Sequence, residues 1–197
     1  FKAISMTTDF HLPKQLKPQY SADEIKSAAE KIGSEITTWA RQVWDDSHTD
    51  ILGIPILRGG LFFFADLVRQ IDASIEVAAA HAVAYEPGVN QALLDSVEVQ
   101  IQSVPAKGRR ILLVDDICDS GKTLKAMTQT LLEAGALEVR CAVLIQRIIP
   151  DQLYTPDWVG FEYKGPEWFV GYGMEDGCRW RNLPMVCIIQ QDVKTAS

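Results

Sequence analysis

The segment Ile111-Leu112-Leu113-Val114-Asp115-Asp116-Ile117-Cys118-Asp119-Ser120-Gly121-Lys122-Thr123 passes from a short apolar run into two adjacent carboxylates, a loop of small residues and the first positions of a helical pattern. An apolar run without alternation is what a parallel strand covered on both faces looks like. In an open α/β sheet, ligands sit at the carboxyl ends of strands. A helix that starts there offers unpaired N–H groups and a partial positive charge to a phosphate. Residues 119–123 suit such a cradle: Gly121 permits close backbone approach, Ser120 and Thr123 add hydroxyl donors, and Lys122 adds charge. Asp115 and Asp116 beside it are acceptors, suited to a diol or a magnesium ion and poor partners for a phosphate. Two acids after a strand often do no more than shape a turn, but the full order of strand, diacid, loop and helix points to a site. The Gly-Lys-Thr inside it is not a Walker A loop, because that motif needs a Gly five positions before its second Gly and Asp116 stands there.

Outward from this segment, apolar strands alternate with helices. Upstream, Ser21 and Glu24 form a capping box and Tyr20 can staple onto Ile25, opening an amphipathic helix of about six turns with Ile25, Ala28, Ile32, Ile36, Trp39, Ala40 and Val43 at helical spacing. Residues 51–57 are an almost wholly apolar strand that ends in Arg58-Gly59-Gly60 before a helix-like stretch, 61–71. Strand patterns recur at 75–85, 97–103, 110–114 and 139–146, and a helix at 122–134, closed by Gly135, separates the last two. This alternation predicts an α/β fold with an open, mainly parallel twisted sheet flanked by helices. Residues 1–19 lack periodicity and read as an extended arm, and 20–150 as the core. Residues 151–197, with short aromatic strands and no long helix, read as a small hood over the sheet.

Composition narrows the function. The 197 residues are 47% hydrophobic and 23% charged, which excludes disorder as the dominant state and suffices for one well-packed domain. The net charge of −7 argues against a nucleic-acid partner, since phosphate neutralisation normally shows as a basic excess. No window is long and apolar enough to span a bilayer, so no membrane partner is expected and the chain reads as cytoplasmic. Cys118, Cys141, Cys178 and Cys187 show no metal-ligand spacing and read as reduced thiols. If the ligand is an anion, the positive charge that binds it must be local.

Residues 111–123 resemble the phosphoribosyl-pyrophosphate signature of the type I phosphoribosyltransferases, and the rest of the chain resembles their hypoxanthine-guanine branch. Leu57-Arg58-Gly59-Gly60 with Phe63-Phe64-Ala65-Asp66-Leu67 is similar to the pyrophosphate loop and its following helix. Pro156-Asp157-Trp158-Val159-Gly160-Phe161-Glu162 and Phe169-Val170-Gly171-Tyr172 are similar to the base-binding region, and Arg181-Asn182-Leu183-Pro184 to the last loop. The resemblance implies that Asp115 and Asp116 hold the ribose hydroxyls and residues 119–123 the 5′-phosphate. Asp119 would assist proton transfer at the purine N7. Arg58, Gly59 and Arg181 would hold pyrophosphate, across a Leu57–Arg58 peptide that is often cis in relatives. Trp168 would stack on the base, with Val170 reading its edge and Tyr85 closing a loop over the site. Magnesium would be bound by Glu175 or Asp176 together with Asp115 and Asp116, Glu175 standing where relatives usually carry aspartate. The implied activity is purine salvage: transfer of the ribose 5-phosphate group of 5-phosphoribosyl 1-pyrophosphate to a 6-oxopurine, by a homodimer or homotetramer.

The chain departs from the family pattern in three places. Gln146 is read at the position of a lysine that donates to the purine 6-oxo group, and an amide both donates and accepts without charge. Ala84 replaces a serine, and His81 stands where a basic side chain is usual. From Tyr85 to Pro105 there is neither Lys nor Arg. A xanthine-preferring or other-base enzyme is therefore the alternative within catalysis. The alternative outside it is a non-catalytic nucleotide sensor, against which the joint presence of Arg58, Asp119 and Arg181 argues.

Overall fold

The computed structural model describes residues 12–84, 97–101 and 104–190. In chain order the elements are β1 (Leu16–Tyr20), α1 (Ala22–Ser47), β2 (Ile51–Leu57), α2 (Gly60–Leu67), β3 (Ile75–Val77), β4 (Ala80–Ala84) and β5 (Val97–Gln100). There follow β6 (Arg110–Cys118), α3 (Lys122–Glu133), β7 (Glu138–Arg147), β8 (Trp158–Tyr163), β9 (Phe169–Val170) and β10 (Val186–Ile189). The large sheet has the order β5-β4-β2-β6-β7-β8, with β3 also on β2, and every pairing in it is parallel except β4 with β5. This is the mainly parallel, helix-flanked sheet that the alternation predicts.

Period-two geometry explains why β6 and β7 are apolar at nearly every position. Leu112, Val114, Ala142 and Leu144 pack into one cluster with α1 and α2, while Ile111, Leu113, Cys141 and Val143 pack into a second with α3. A strand sandwiched between two helical layers has no solvent face on which to place polar residues. The Ser21–Glu24 capping box forms as expected, and α1 runs 26 residues, burying Ile25, Ala29, Ile32, Ile36, Trp39, Ala40 and Val43. Burial pushes the thiol pKa of Cys118 up to about 11 and that of Cys141 up to about 12, so both behave as packing groups.

The boundaries differ from expectation at both ends. Part of the arm is a strand: β1 pairs antiparallel with β10, which pairs with β9, and these three make the hood. Conversely, β8, expected within the hood, is the edge strand of the large sheet. Its aromatics fill the gap between that edge and α1, Trp158 lying 5.7 Å from Trp39 and Phe161 stacking on Tyr20 at 4.0 Å. No helix among the described residues is long and apolar enough to cross a membrane.

From β2 the chain moves to β3 and β4 on one side, whereas β6, β7 and β8 add on the other. Such a reversal opens a crevice at the carboxyl ends of the strands on either side of it. Those strands are β2, ending at Leu57, and β6, which carries Asp115 and Asp116.

Candidate functional site

A cleft of about 280 Å³ opens at this crevice, lined by Leu57, Gly59, Asp115, Asp116, Asp119, Thr123, Arg147, Trp168, Phe169, Glu175 and Arg181 among others. Its floor is the turn from β2 into α2 laid against β6. The Leu57–Arg58 peptide is cis, and the two glycines that follow lie flush on the diacid. A Cβ at Gly59 would overlap the Asp116 carboxylate, and one at Gly60 would lie 2.6 Å from the Val114 carbonyl oxygen. No side chain fits there, so the two backbones come together at the mouth of the sheet.

Asp115 and Asp116 are each only 8% exposed. The Asp116 N–H donates to Asp115 Oδ1 at 3.0 Å and the Ile117 N–H to Asp116 Oδ1 at 2.8 Å. Burial, reinforced by the Asp116 charge, raises the Asp115 pKa well above the usual carboxylate range. Burial raises that of Asp116 too, against the pull of its hydrogen bonds and of the Arg181 charge. Two carboxylates held this close and this dry are costly to ionise without a cation or hydroxyl donors in front of them.

The phosphate loop is braced from behind by the segment after β7. Gly121, at φ +81°, caps α3, and a Cβ there would lie 2.7 Å from the Tyr154 nitrogen. The Leu153 N–H donates to the Ser120 carbonyl at 2.9 Å. Asp119 and Thr123 line the cleft, while Ser120, Gly121 and Lys122 form the rim behind them. Gly121→Ala pays for a left-handed backbone and for the clash with Tyr154, the first alone about 1–2 kcal/mol. Thermal unfolding of this variant should show Tm lowered by several degrees, at roughly 2–4 °C per kcal/mol for a chain of this size.

At the opposite wall β7 ends in Gln146 and Arg147. Gln146 is buried, in register with Cys118 and Glu162, and is not among the lining residues; Arg147 lines the cleft instead. Successive strand residues point to opposite faces, so only one of the two can face the cleft directly. Arg147 is 14% exposed and well anchored. Its Nε donates to Asp119 Oδ1 at 2.6 Å, and its terminal nitrogens donate to the carbonyls of Gly165 and Glu167. A guanidinium has five N–H groups, so two are left for a ligand. In β9, Val170 is fully buried in the hood cluster with Leu16, Leu183 and Cys187, and Phe169 lines the cleft, 5.2 Å beneath the Arg147 guanidinium. Trp168 is 60% exposed at the mouth, an aromatic face without a stacking partner among the described residues.

The hood closes the site with Glu175 and Arg181. Glu175 Oε1 lies 2.5 Å from Arg181 and 3.9 Å from Arg58, which is otherwise exposed and not itself a lining residue. Glu175 Oε2 is buried with no hydrogen-bond partner among the described residues. Asp176 is exposed and turned into a tight bridge with Arg179, so of the two neighbouring acids only Glu175 enters the cleft. Among the described residues no group of three or more His, Cys, Asp or Glu could hold a metal by itself. A magnesium ion needs fewer, commonly one or two carboxylates plus phosphate and water oxygens. The hard oxygens of Asp115 and Asp116 and the orphaned Oε2 of Glu175 fit an ion of that kind. Tyr85 and the expected closing loop lie outside the described residues, apart from Val97 at its end.

Residues 21–176 match the phosphoribosyl transferase domain. The chain is 30% identical over 177 residues to a hypoxanthine-guanine phosphoribosyltransferase of Streptococcus pneumoniae, covering 88% of this chain and 92% of the relative. It is 29% identical over 168 residues to the hypoxanthine phosphoribosyltransferase of Escherichia coli, covering 83% and 89%. In fold it is similar to the crystal structure of a hypoxanthine phosphoribosyltransferase from Staphylococcus aureus, with a TM-score of 0.76 and 22% identity over 92% of this chain and 95% of that one.

Proposed function

The chain belongs to the phosphoribosyl transferase domain family, and from that premise we propose that it transfers the phosphoribosyl group of 5-phosphoribosyl 1-pyrophosphate to a ring nitrogen of a 6-oxopurine, releasing pyrophosphate. The observation that carries the reading is one cleft in which a diacid, a helix start, the Arg181 and Arg147 guanidiniums and an exposed aromatic ring face a common space. Asp115 and Asp116 accept hydrogen bonds from the ribose hydroxyls, and residues 119–123 receive the 5′-phosphate at the start of α3. Trp168 stacks on the base. Arg147 offers its two remaining N–H groups to the base edge, and since it cannot accept, it suits an oxo group and opposes an amino group.

In the reaction the bond from the anomeric carbon to the pyrophosphate oxygen breaks as the purine nitrogen bonds to that carbon, and the purine loses a proton. Asp119, held by Arg147 through one oxygen, keeps its second oxygen for that proton. Arg58 and Arg181 neutralise the charge that builds on the departing pyrophosphate, where fixed cations stabilise the transition state most. Magnesium, which Asp115, Asp116 or Glu175 would hold together with ligand and water oxygens, would supply further positive charge to the departing group. The chain acts on this reading as a homodimer or homotetramer, with the exposed Leu61 and Phe62 of α2 as contact residues.

Incubating the protein with phosphoribosyl pyrophosphate, magnesium and one base at a time tests the proposal. Nucleotide is expected with hypoxanthine and guanine and not with adenine, whose 6-amino group faces the donors of Arg147. Product with xanthine alone would move the reading to the xanthine-preferring enzyme. No product with any base would refute catalysis and leave the nucleotide sensor.

A further inference from the structure

Trp168 does more than offer a ring. Its indole N–H donates at 3.0 Å to the main-chain carbonyl of Glu175, seven residues on. The side chain of that same Glu175 reaches Arg181 at 2.5 Å and Arg58 at 3.9 Å. Arg181 in turn donates to the Gly173 carbonyl, and the Gly173 N–H donates back to the Arg181 carbonyl at 3.0 Å, so the loop between them is closed on itself. A chain of direct contacts therefore leads from the aromatic ring at one end of the cleft to both guanidiniums at the other.

Resting on the function proposed above, we infer that Trp168 is a positioning residue for the pyrophosphate clamp: its N–H fixes the backbone from which Glu175 holds Arg58 and Arg181 in place. The ring and the N–H have separable tasks. Stacking needs only an aromatic face, which phenylalanine also provides, whereas fixing Glu175 needs a donor at the indole position, which phenylalanine lacks. Arg58 is a long side chain, 67% exposed even with Glu175 at 3.9 Å, and rotamer freedom that it keeps must be lost on each binding event. Glu175 maintains the two cations as a pair before the ligand arrives, which lowers that cost. The physical arrangement also sets the size of the effect, because one partly exposed neutral hydrogen bond is a modest interaction.

Trp168→Phe separates the two tasks. Calorimetric titration with phosphoribosyl pyrophosphate and magnesium should give a Kd raised roughly three- to tenfold, about the value of one such hydrogen bond. Tm should be unchanged, since Trp168 is exposed and its replacement opens no core. In a Glu175→Ala background the same substitution should add no further loss, as the side chain it positions is gone. Unchanged affinity in Trp168→Phe, a loss confined to KM for the base, or losses that simply add in the double variant would each overturn the inference while the function stands. Wild-type protein that does not bind phosphoribosyl pyrophosphate would overturn both.

Discussion

Asp119→Asn is expected to lower turnover by about 10²–10⁴-fold, the usual contribution of a positioned acid or base, with phosphoribosyl pyrophosphate affinity nearly unchanged. The asymmetry follows from the geometry. Asp119 stands at the start of the phosphate loop, and Arg147 Nε donates to its Oδ1 at 2.6 Å. An asparagine can keep that contact through its amide oxygen, so the loop and Arg147 stay in place. What asparagine presents at the second position is an NH₂, which cannot take a proton from the purine. Steady-state kcat and a direct binding titration, run side by side, separate these effects. Equal losses in both would show that Asp119 acts as scaffold for Arg147 and has no part in proton transfer.

The second large effect has opposite signs for stability and activity. Asp115→Asn should raise Tm by about 2–4 °C at pH 7, what roughly 1 kcal/mol is worth in a chain this size, and should raise KM for phosphoribosyl pyrophosphate about 10–100-fold through loss of a charged acceptor. Asp115 is buried beside Asp116, and both causes raise its pKa well above the usual carboxylate range. The unfolded chain releases this proton near pH ~4, while the folded protein retains it to higher pH. Stability contributed by the protonated form is therefore complete below about pH 4 and is lost as pH rises through the folded-state pKa. The Tm difference between variant and wild type should be small near pH 4 and grow toward neutrality. A difference that does not change with pH would show that packing, not ionisation, is responsible. Asparagine retains Oδ1 as acceptor for the Asp116 N–H, so the turn itself is preserved.

The strand-to-helix order of the large sheet and the diacid were legible in sequence because each leaves a local mark: an apolar run, a capping box, two acids before a glycine. The facing of residues on β7 and β9 left no such mark. Near the end of β7, Leu144-Ile145-Gln146-Arg147 gives no polar alternation from which to count, since a strand covered on both faces has no phase in its composition. Which of Gln146 and Arg147 enters the cleft is decided by pairing with β6 and β8. At β9, only two residues long, Phe169 and Val170 are equally apolar, and only the hood packed behind Val170 distinguishes them. The membership of β1 and β8 was likewise set by partners distant in sequence. The grip of Glu175 on two arginines left no mark at all, because Arg58, Glu175 and Arg181 are brought together by the fold alone.

The antiparallel pair of β1 and β10 joins segments about 170 positions apart, and β9 is held in the hood through β10. Such long-range pairing is late in folding, because the entropy of closing the chain must be met before its contacts repay it. The large sheet, whose paired strands lie far closer in sequence than β1 and β10, can assemble first and present the diacid and the phosphate loop. The wall that bears Trp168, Glu175 and Arg181 cannot be in place until the segment reaching Ile189 has been synthesised and has found Leu16. A nascent chain that already displays its phosphate loop is thus without its base platform and its arginine clamp. On the proposed function, the sheet alone would offer a place for the ribose and its 5′-phosphate, while the pyrophosphate and the purine would both wait for the hood.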